Sequence, residues 1–196
     1  MSLRILGGMA KGFTLAVPSE SVTRPTSVLL KRRLFDYYQS FSGYYFIDLC
    51  AGSGSIGLEA LSRNADAVLL VEKNFQAYKV LKENIKNFET RYPNLDLNSK
   101  QVDISKFLKD FKDYYLDLDQ EEKSRVMIFF DPPYEKIDLY DLIFNSLSKI
   151  SFSGVLITEA CRQKTMSEED FSNAYGVPTR IYKQGTSFLY VYDYNK

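Results

Sequence analysis

The sequence predicts an α/β fold with a mostly parallel, seven-stranded sheet, helices on both faces, and a small N-terminal β-hairpin and helix. From residue 44 onward, short apolar segments alternate with amphipathic helical segments, which is typical of right-handed βαβ units. A glycine-rich turn follows the first apolar segment, and acidic residues follow several others. Open α/β sheets bind ligands at the carboxyl ends of their strands, so we expect a site at that edge.

The N-terminal 40 residues precede this pattern and are predicted to form an extension of the domain. The segments "LRILGG" and "GFTLAVP" have the turn glycines and strand-forming residues of a β-hairpin. After "TRPT", the segment "SVLLKRRLFDYYQSF" carries apolar residues at helical spacing, with Ser27 as a candidate N-cap. We therefore expect an amphipathic helix with a basic outer face.

The remaining elements follow in order and complete a single predicted domain of residues 1–196, whose core is residues 44–196. The predicted strands are 44–50, 67–73, 97–103, 126–130 and 154–160, followed by a terminal hairpin of 179–184 and 187–194. The predicted helices are 55–63, 74–88, 105–115 and 139–150. The acidic segment 113–123 is predicted to be a solvated loop.

Composition excludes several kinds of chemistry. The chain has 196 residues, two cysteines and no histidine, so histidine-based zinc sites, Ser-His-Asp triads and Cys-His pairs are absent. No apolar run approaches the roughly 20 residues that span a bilayer. We expect a cytoplasmic, monomeric protein without a metal or a membrane partner.

Charge is distributed unevenly along the chain. The net charge is zero, yet residues 1–33 carry six basic residues against one acid, which leaves the rest of the chain negative. The basic residues are Arg4, Lys11, Arg24, Lys31, Arg32 and Arg33. A polyanion would prefer this end of the chain, although a basic helix face that is only solvated would look the same.

The segment "FIDLCAGSGSIGLEAL" places Gly52, Gly54 and Gly57 in the G-x-G-x-x-G spacing of nucleotide-binding turns. Such a turn suits NAD and S-adenosylmethionine alike, and so does Glu72, whose carboxylate could accept hydrogen bonds from both ribose hydroxyls. Asp48 favours S-adenosylmethionine, because an acid at the end of the first strand suits an ammonium group better than a pyrophosphate.

Two further acids follow later strands. Asp103 could accept a hydrogen bond from an adenine amino group, although it could also cap a helix. The segment "IFFDPPYEK" brings Asp131, Pro132 and Tyr134 to the same edge, where two prolines hold a rigid bend with carbonyl oxygens facing outward. Rigid acceptors suit an amino substrate, whereas a loop with a packed tyrosine is the structural alternative.

These segments resemble a known family. "DLCAGSGSIGLEALSR", "VEK", "DPPY" and "TRPT…LF" together resemble the Rossmann-like class I S-adenosylmethionine-dependent methyltransferases. More narrowly, they resemble the RsmD-type enzymes that methylate a guanine N2 of bacterial 16S ribosomal RNA. The resemblance extends from "RILGG" to "YKQGTSFLYVY". It departs at Val28-Leu29 and Gln184, where the family has Asp-Arg and Tyr, and these positions bear on the RNA substrate.

The resemblance implies a role for each candidate residue. S-adenosylmethionine would be bound by Asp48, Gly52, Gly54, Glu72 and Asp103. Asp131 and the Pro132 carbonyl would accept the two N–H bonds of the target amine, and Tyr134 would stack on the base. The six basic residues of the N-terminal segment would bind phosphates of ribosomal RNA or of a small-subunit assembly particle.

Three alternatives remain at this stage. A DPPY enzyme could instead methylate adenine N6 of DNA or RNA, and a catalytically idle RNA-binding assembly factor could retain the fold. An NAD oxidoreductase is weakened by Asp48 and by the lack of histidine. Cys50 lies inside the cofactor motif and is expected to be a buried packing residue, which disfavours covalent catalysis.

Overall fold

The computed structural model describes residues 2–18, 28–162 and 164–195, and the chain divides into two units, Met1–Asp103 and Ile104–Lys196. The predicted "TRPT" segment, Arg24 and Ser27 lie outside the described residues. Nothing in the structure tests the prediction of a single domain, which stays a prediction. In the described ranges, no helix combines the length and the apolar composition needed to cross a membrane.

In its described residues, the first unit contains a hairpin, three helices and three parallel strands. Its elements are β1 (Ser2–Arg4), β2 (Thr14–Ala16), α1 (Val28–Tyr37), β3 (Tyr45–Asp48), α2 (Ser55–Ser62), β4 (Ala67–Glu72), α3 (Phe75–Arg91) and β5 (Leu97–Gln101). Strands β1 and β2 pair antiparallel, as predicted, and β4 pairs in parallel with both β3 and β5.

The described part of the second unit contains four helices and four strands. Its elements are α4 (Ile104–Asp117), α5 (Gln120–Ser124), β6 (Val126–Phe130), α6 (Ile137–Lys149), β7 (Val155–Cys161), α7 (Glu168–Tyr175), β8 (Arg180–Gln184) and β9 (Ser187–Asp193). Strands β6 and β7 are parallel, whereas β9 runs antiparallel to both β7 and β8.

The predicted mostly parallel, seven-stranded sheet is confirmed. Its strand order is β5-β4-β3-β6-β7-β9-β8. Every residue of β6 and β7 is buried, which explains why their sequences are nearly continuous apolar runs rather than alternating ones. Strands β3 and β4 end at Asp48 and Glu72, and β6 ends one residue before Asp131.

Two helices in the second unit were not predicted. The prediction of a solvated loop at 113–123 is wrong, because α4 continues to Asp117 and α5 begins at Gln120. Helix α5 is started by a capping box in which the Asp119 side chain accepts from the Glu122 amide while the Glu122 side chain accepts from the Asp119 amide. Helix α7 is started by Ser167, whose hydroxyl oxygen accepts from the Asp170 amide at 3.1 Å.

Candidate functional site

The glycine-rich turn joins β3 to α2 and depends on the lack of side chains at two of its glycines. Gly54 has φ 81° as the N-cap of α2, and its amide donates to the Ala51 carbonyl at 2.7 Å. A Cβ at Gly57 would lie 2.3 Å from Leu70 Cδ2 and 3.0 Å from Val68 Cγ1, so a larger residue there would require the Leu70 side chain or α2 to move. Gly54 is therefore needed for its backbone conformation, and Gly57 for its lack of a side chain.

Glu72 connects the end of β4 to the glycine-rich turn. Its Oε2 accepts from the Gly52 amide at 2.9 Å, and its Oε1 accepts from the Asn74 amide at 2.7 Å. Each carboxylate oxygen has a second lone pair, so Glu72 retains acceptor capacity beyond these two bonds. The structure thus brings together two of the residues assigned to the cofactor, 20 positions apart in sequence.

Asp103 lies near the same strand end. Its Oδ2 is 3.0 Å from Nζ of Lys73, the residue after Glu72, and both side chains of this ion pair are well exposed. Phe75 at the start of α3 is also 54% exposed, with Lys79 Nζ 4.8 Å from its ring centroid. An exposed phenylalanine three residues after Glu72 was missed in the sequence, where it looked like an ordinary residue of an amphipathic helix.

Asp48 and Lys31 are both buried. The prediction that Lys31 lies on the basic outer face of α1 is wrong: its side chain is 6% exposed, and its Nζ donates to the Ser55 carbonyl at 2.8 Å. The reason is helical spacing, because Lys31 precedes the buried Leu34 and Phe35 by three and four residues and therefore shares their face. Burial lowers the pKa of Lys31 to about 8, although the carboxylates of Glu59 and Asp48 oppose this shift.

The remaining basic residues of the N-terminal segment are exposed where they are described, and their role in RNA binding stays a prediction. Arg4, Lys11, Arg32 and Arg33 are all exposed. Arg32 and Arg33 follow Lys31 directly in α1, so this helix presents two cations to solvent and one to the interior.

The segment after β6 forms a tight bend in the second unit. The Lys136 amide donates to the Pro133 carbonyl at 2.9 Å, and the Thr165 hydroxyl donates to the Tyr134 carbonyl at 3.1 Å. Pro133 is exposed and Pro132 is buried. The bend therefore has fixed backbone geometry, as the double proline predicts.

Tyr134 is anchored by a residue that the sequence analysis missed. Its hydroxyl donates to Oε1 of Glu159 at 2.5 Å, and the two residues are 8% and 0% exposed. Burial, followed by the negative charge of Asp131, raises the pKa of Glu159 to about 9. Burial and the carboxylates of Glu159 and Asp131 raise the pKa of Tyr134 well above its usual value. The stacking role predicted for Tyr134 stays a prediction. A glutamate within the apolar segment "GVLITEA" was the available signal for Glu159.

Two other site predictions concern cysteine and metal chemistry. Cys50 is partly exposed, so the expectation that it is a buried packing residue is wrong. Within the ranges that the structure covers, no group of three or more histidine, cysteine, aspartate or glutamate residues could hold a metal ion.

The chain is similar to known proteins over most of its length. The family model described as conserved hypothetical protein 95 matches residues 3–192. A Bacillus subtilis protein named "Putative rRNA methyltransferase YlbH" is 28% identical over 170 residues, covering 85% of this chain and 86% of the relative. The "Ribosomal RNA small subunit methyltransferase D" of Escherichia coli is 27% identical over 159 residues, covering 81% of this chain and 71% of the relative.

Solved structures share the fold. A hypothetical protein of Thermus thermophilus is 26% identical with a TM-score of 0.73, and the match covers 97% of this chain and 99% of that one. A more distant structure, titled "a putative methyltransferase complexed with SAH", has a TM-score of 0.63 at 14% identity, covering 83% of this chain and 49% of that one. The predicted fold class is confirmed.

Proposed function

Since this chain belongs to the family of conserved hypothetical protein 95, that of the RsmD-type ribosomal RNA methyltransferases, we propose that it transfers a methyl group from S-adenosylmethionine to the exocyclic N2 amine of a guanine in bacterial 16S ribosomal RNA. The resemblance predicted from the sequence is confirmed at the level of the family. The observation that carries transfer to an amino group is the Asp-Pro-Pro-Tyr bend directly after the buried strand β6. The choice of ribosomal RNA, and of guanine N2, rests on the resemblance to the family.

The first unit has side chains that suit S-adenosylmethionine. Glu72 keeps acceptor capacity for the ribose hydroxyls while it fixes the Gly52 amide, and Asp48 suits the methionine ammonium group. Asp103 would accept from the adenine amino group, and the exposed ring of Phe75 would stack on adenine. The glycines at 52 and 54 let a ligand approach the backbone closely. The SAH complex of a protein with the same fold supports the same class of cofactor.

The second unit supplies the groups that act on the target amine. Bound S-adenosylmethionine supplies an electrophilic methyl group on its sulfonium. A guanine N2 lone pair is delocalised into the ring, so the protein must hold the nitrogen with that lone pair directed at the methyl group. In our proposal, Asp131 and the Pro132 carbonyl accept the two N–H bonds. Orientation of this kind can contribute about 7 to 11 kcal/mol, and a positioned base about 10²- to 10⁴-fold.

Glu159 and Tyr134 support Asp131 in this scheme. Burial and the negative charge of Asp131 favour the protonated form of Glu159, so in this proposal the acid that accepts from the amine is Asp131. The bond from Tyr134 to Glu159 holds the bend in place. After methyl transfer, the surplus proton on nitrogen leaves to Asp131 or to water.

RNA binding is assigned to the exposed basic residues. Arg4, Lys11, Arg32 and Arg33 would neutralise phosphates, with Arg24 a further candidate from the sequence alone. The target base must be unstacked or in a loop to reach a pocket of this kind. A ribosomal RNA substrate, naked or in an assembly particle, would place the protein in the cytoplasm.

The test is transfer of labelled methyl from S-adenosylmethionine to deproteinised 16S RNA and to assembled small-subunit particles, followed by nucleoside analysis. We expect N2-methylguanosine. N6-methyladenosine would replace the proposal with the adenine alternative. RNA binding with no transfer to either substrate would favour the idle assembly factor.

A further inference from the structure

Lys31 contacts α2, the helix that follows the glycine-rich turn, rather than solvent. Its Nζ lies 2.8 Å from the carbonyl oxygen of Ser55, the first residue of α2, and its side chain is 6% exposed. The charges that act on it are the carboxylates of Glu59 and Asp48, which favour its ammonium form, and the Arg63 guanidinium, which opposes it. A buried lysine is stable only where such partners compensate for lost hydration.

The hairpin of the same N-terminal segment is attached to the first βαβ unit through Glu59. The carboxylate of Glu59 is 0% exposed and accepts from the amides of Leu6 at 2.6 Å and Gly7 at 2.8 Å. Glu59 also pairs with Nε of Arg63 at 2.8 Å. The hairpin and α1 thus both contact α2 at this buried group of charges, and the hairpin loop also bonds to Ser62 of α2.

Asn84 provides a second attachment, directly to the glycine-rich turn. Its side chain exchanges two hydrogen bonds, both 2.9 Å, with the backbone of Ala16 in β2. The same amide group donates to the carbonyl of Ser53, between Gly52 and Gly54, at 2.8 Å. The N-terminal segment is therefore built into the support of the turn.

We propose that Lys31 is a positioning residue for S-adenosylmethionine: it holds the first residue of α2 through the Ser55 carbonyl and provides a buried positive charge for the buried Asp48 carboxylate. Helix α1 then has two functions, since Arg32 and Arg33 face solvent while Lys31 supports the cofactor site. This inference rests on the proposed function, because it assumes that S-adenosylmethionine is the cofactor.

Asp48 is 1% exposed. A carboxylate this deeply buried is costly without a nearby cation. Without the charge of Lys31, the buried Asp48 carboxylate and the start of α2 lose a stabilising partner, so the methionine ammonium group should be bound less tightly. The effect should therefore be larger for ligands that carry the ammonium group than for those that lack it.

The experiment compares Lys31→Met with Arg32→Met, a matched loss of charge on the exposed face of the same helix. Binding of S-adenosylmethionine, S-adenosylhomocysteine and methylthioadenosine, which lacks the amino acid group, is measured by calorimetry at pH 7. For Lys31→Met we expect affinity for the first two to fall at least about tenfold, with a smaller loss for methylthioadenosine. Arg32→Met should bind all three like the wild type and should reduce the salt dependence of RNA binding, which Lys31→Met should leave unchanged.

Equal or tighter binding of S-adenosylmethionine by folded Lys31→Met would overturn the inference. Failure of the wild-type protein to bind S-adenosylmethionine would instead overturn the proposed function.

Hydrogen exchange on the wild type gives a second test that does not depend on the variant folding. Added S-adenosylhomocysteine should slow amide exchange in residues 28–37 as well as in the glycine-rich turn. Unchanged exchange in 28–37 would show that α1 does not support the site.

Discussion

The hydroxyl of Tyr134 donates a 2.5 Å hydrogen bond to Oε1 of Glu159, and both side chains are buried. Glu159 lies in β7, a strand whose seven residues are all buried. Burial and the nearby charge of Asp131 favour the protonated form of Glu159. A neutral carboxyl can bond to the tyrosine hydroxyl without adding a second negative charge next to Asp131.

The first prediction is that Glu159→Gln removes a pH dependence of stability. The pKa of Glu159 is about 9 in the folded protein, against an ordinary value of 4.5, so the folded state binds this proton more tightly than the unfolded state does. The stabilisation from Glu159 is therefore complete below about pH 4.5 and is lost as the pH rises to about 9, on the order of 1 kcal/mol per pH unit. Glutamine cannot titrate.

The measurement is denaturant unfolding of both proteins at pH 5, 6.5 and 8. We expect the free energy of unfolding of Glu159→Gln, relative to wild type, to increase steadily with pH. The matched control, Glu89→Gln on the exposed face of α3, should follow the wild type. A constant difference between Glu159→Gln and wild type would show that Glu159 is already ionised in the folded protein.

The second prediction is that Gly57→Ala destabilises the protein although it lies in a helix. Helix propensity alone would make alanine better by about 1 kcal/mol. The added Cβ would instead meet Leu70 at 2.3 Å and Val68 at 3.0 Å, and overpacking of this kind costs about 1 to 3 kcal/mol. Chemical denaturation measures the net effect.

Gly43→Ala is the control for backbone strain without a clash, because φ is +87° there and the added Cβ would meet nothing within 4 Å. A stabilised Gly57→Ala would mean that α2 can shift away from β4 without cost.

The third prediction concerns Glu72. Glu72→Ala removes the proposed ribose acceptor and also leaves the amides of Gly52 and Asn74 without their bonds to this carboxylate. Affinity for S-adenosylmethionine should fall by about 1 to 3 kcal/mol. Glu72→Gln keeps one acceptor oxygen and should lose less. Calorimetry with both variants decides the matter, and an unchanged affinity in Glu72→Ala would remove the ribose assignment.

The strand ends could be predicted because they depend on local pattern. Apolar runs of strand length, each followed by a glycine turn or an acid, placed Asp48, Glu72 and Asp131 at or directly after the ends of three strands, as found. The parallel order followed from the alternation with helices.

The burial of Lys31 and the role of Glu159 could not be predicted in the same way. Charge count alone placed Lys31 with Arg32 and Arg33, but the face of α1 that is buried is set by Leu34 and Phe35 and by the charged side chains of α2. Glu159 depends on a tyrosine 25 residues away in sequence. Both side chains are stabilised by partners that only the tertiary structure brings near, and a pattern of single residues does not reveal them.

The last prediction tests the chemistry directly. Asp131→Ala removes one of the two proposed acceptors for the target amine and leaves the cofactor acids and the double proline in place. We expect the fold to survive, since Tyr134 remains bonded to Glu159, and the affinity for S-adenosylmethionine to change by less than about tenfold. Methyl transfer should fall at least about 10²-fold, because both orientation and proton acceptance are impaired.

Single-turnover transfer with saturating RNA and cofactor is the measurement, with Cys50→Ala as the control that should remain active. Near-normal transfer by Asp131→Ala would remove this bend from the active site, and loss of transfer in a folded, cofactor-binding Cys50→Ala would point to a covalent cysteine mechanism instead.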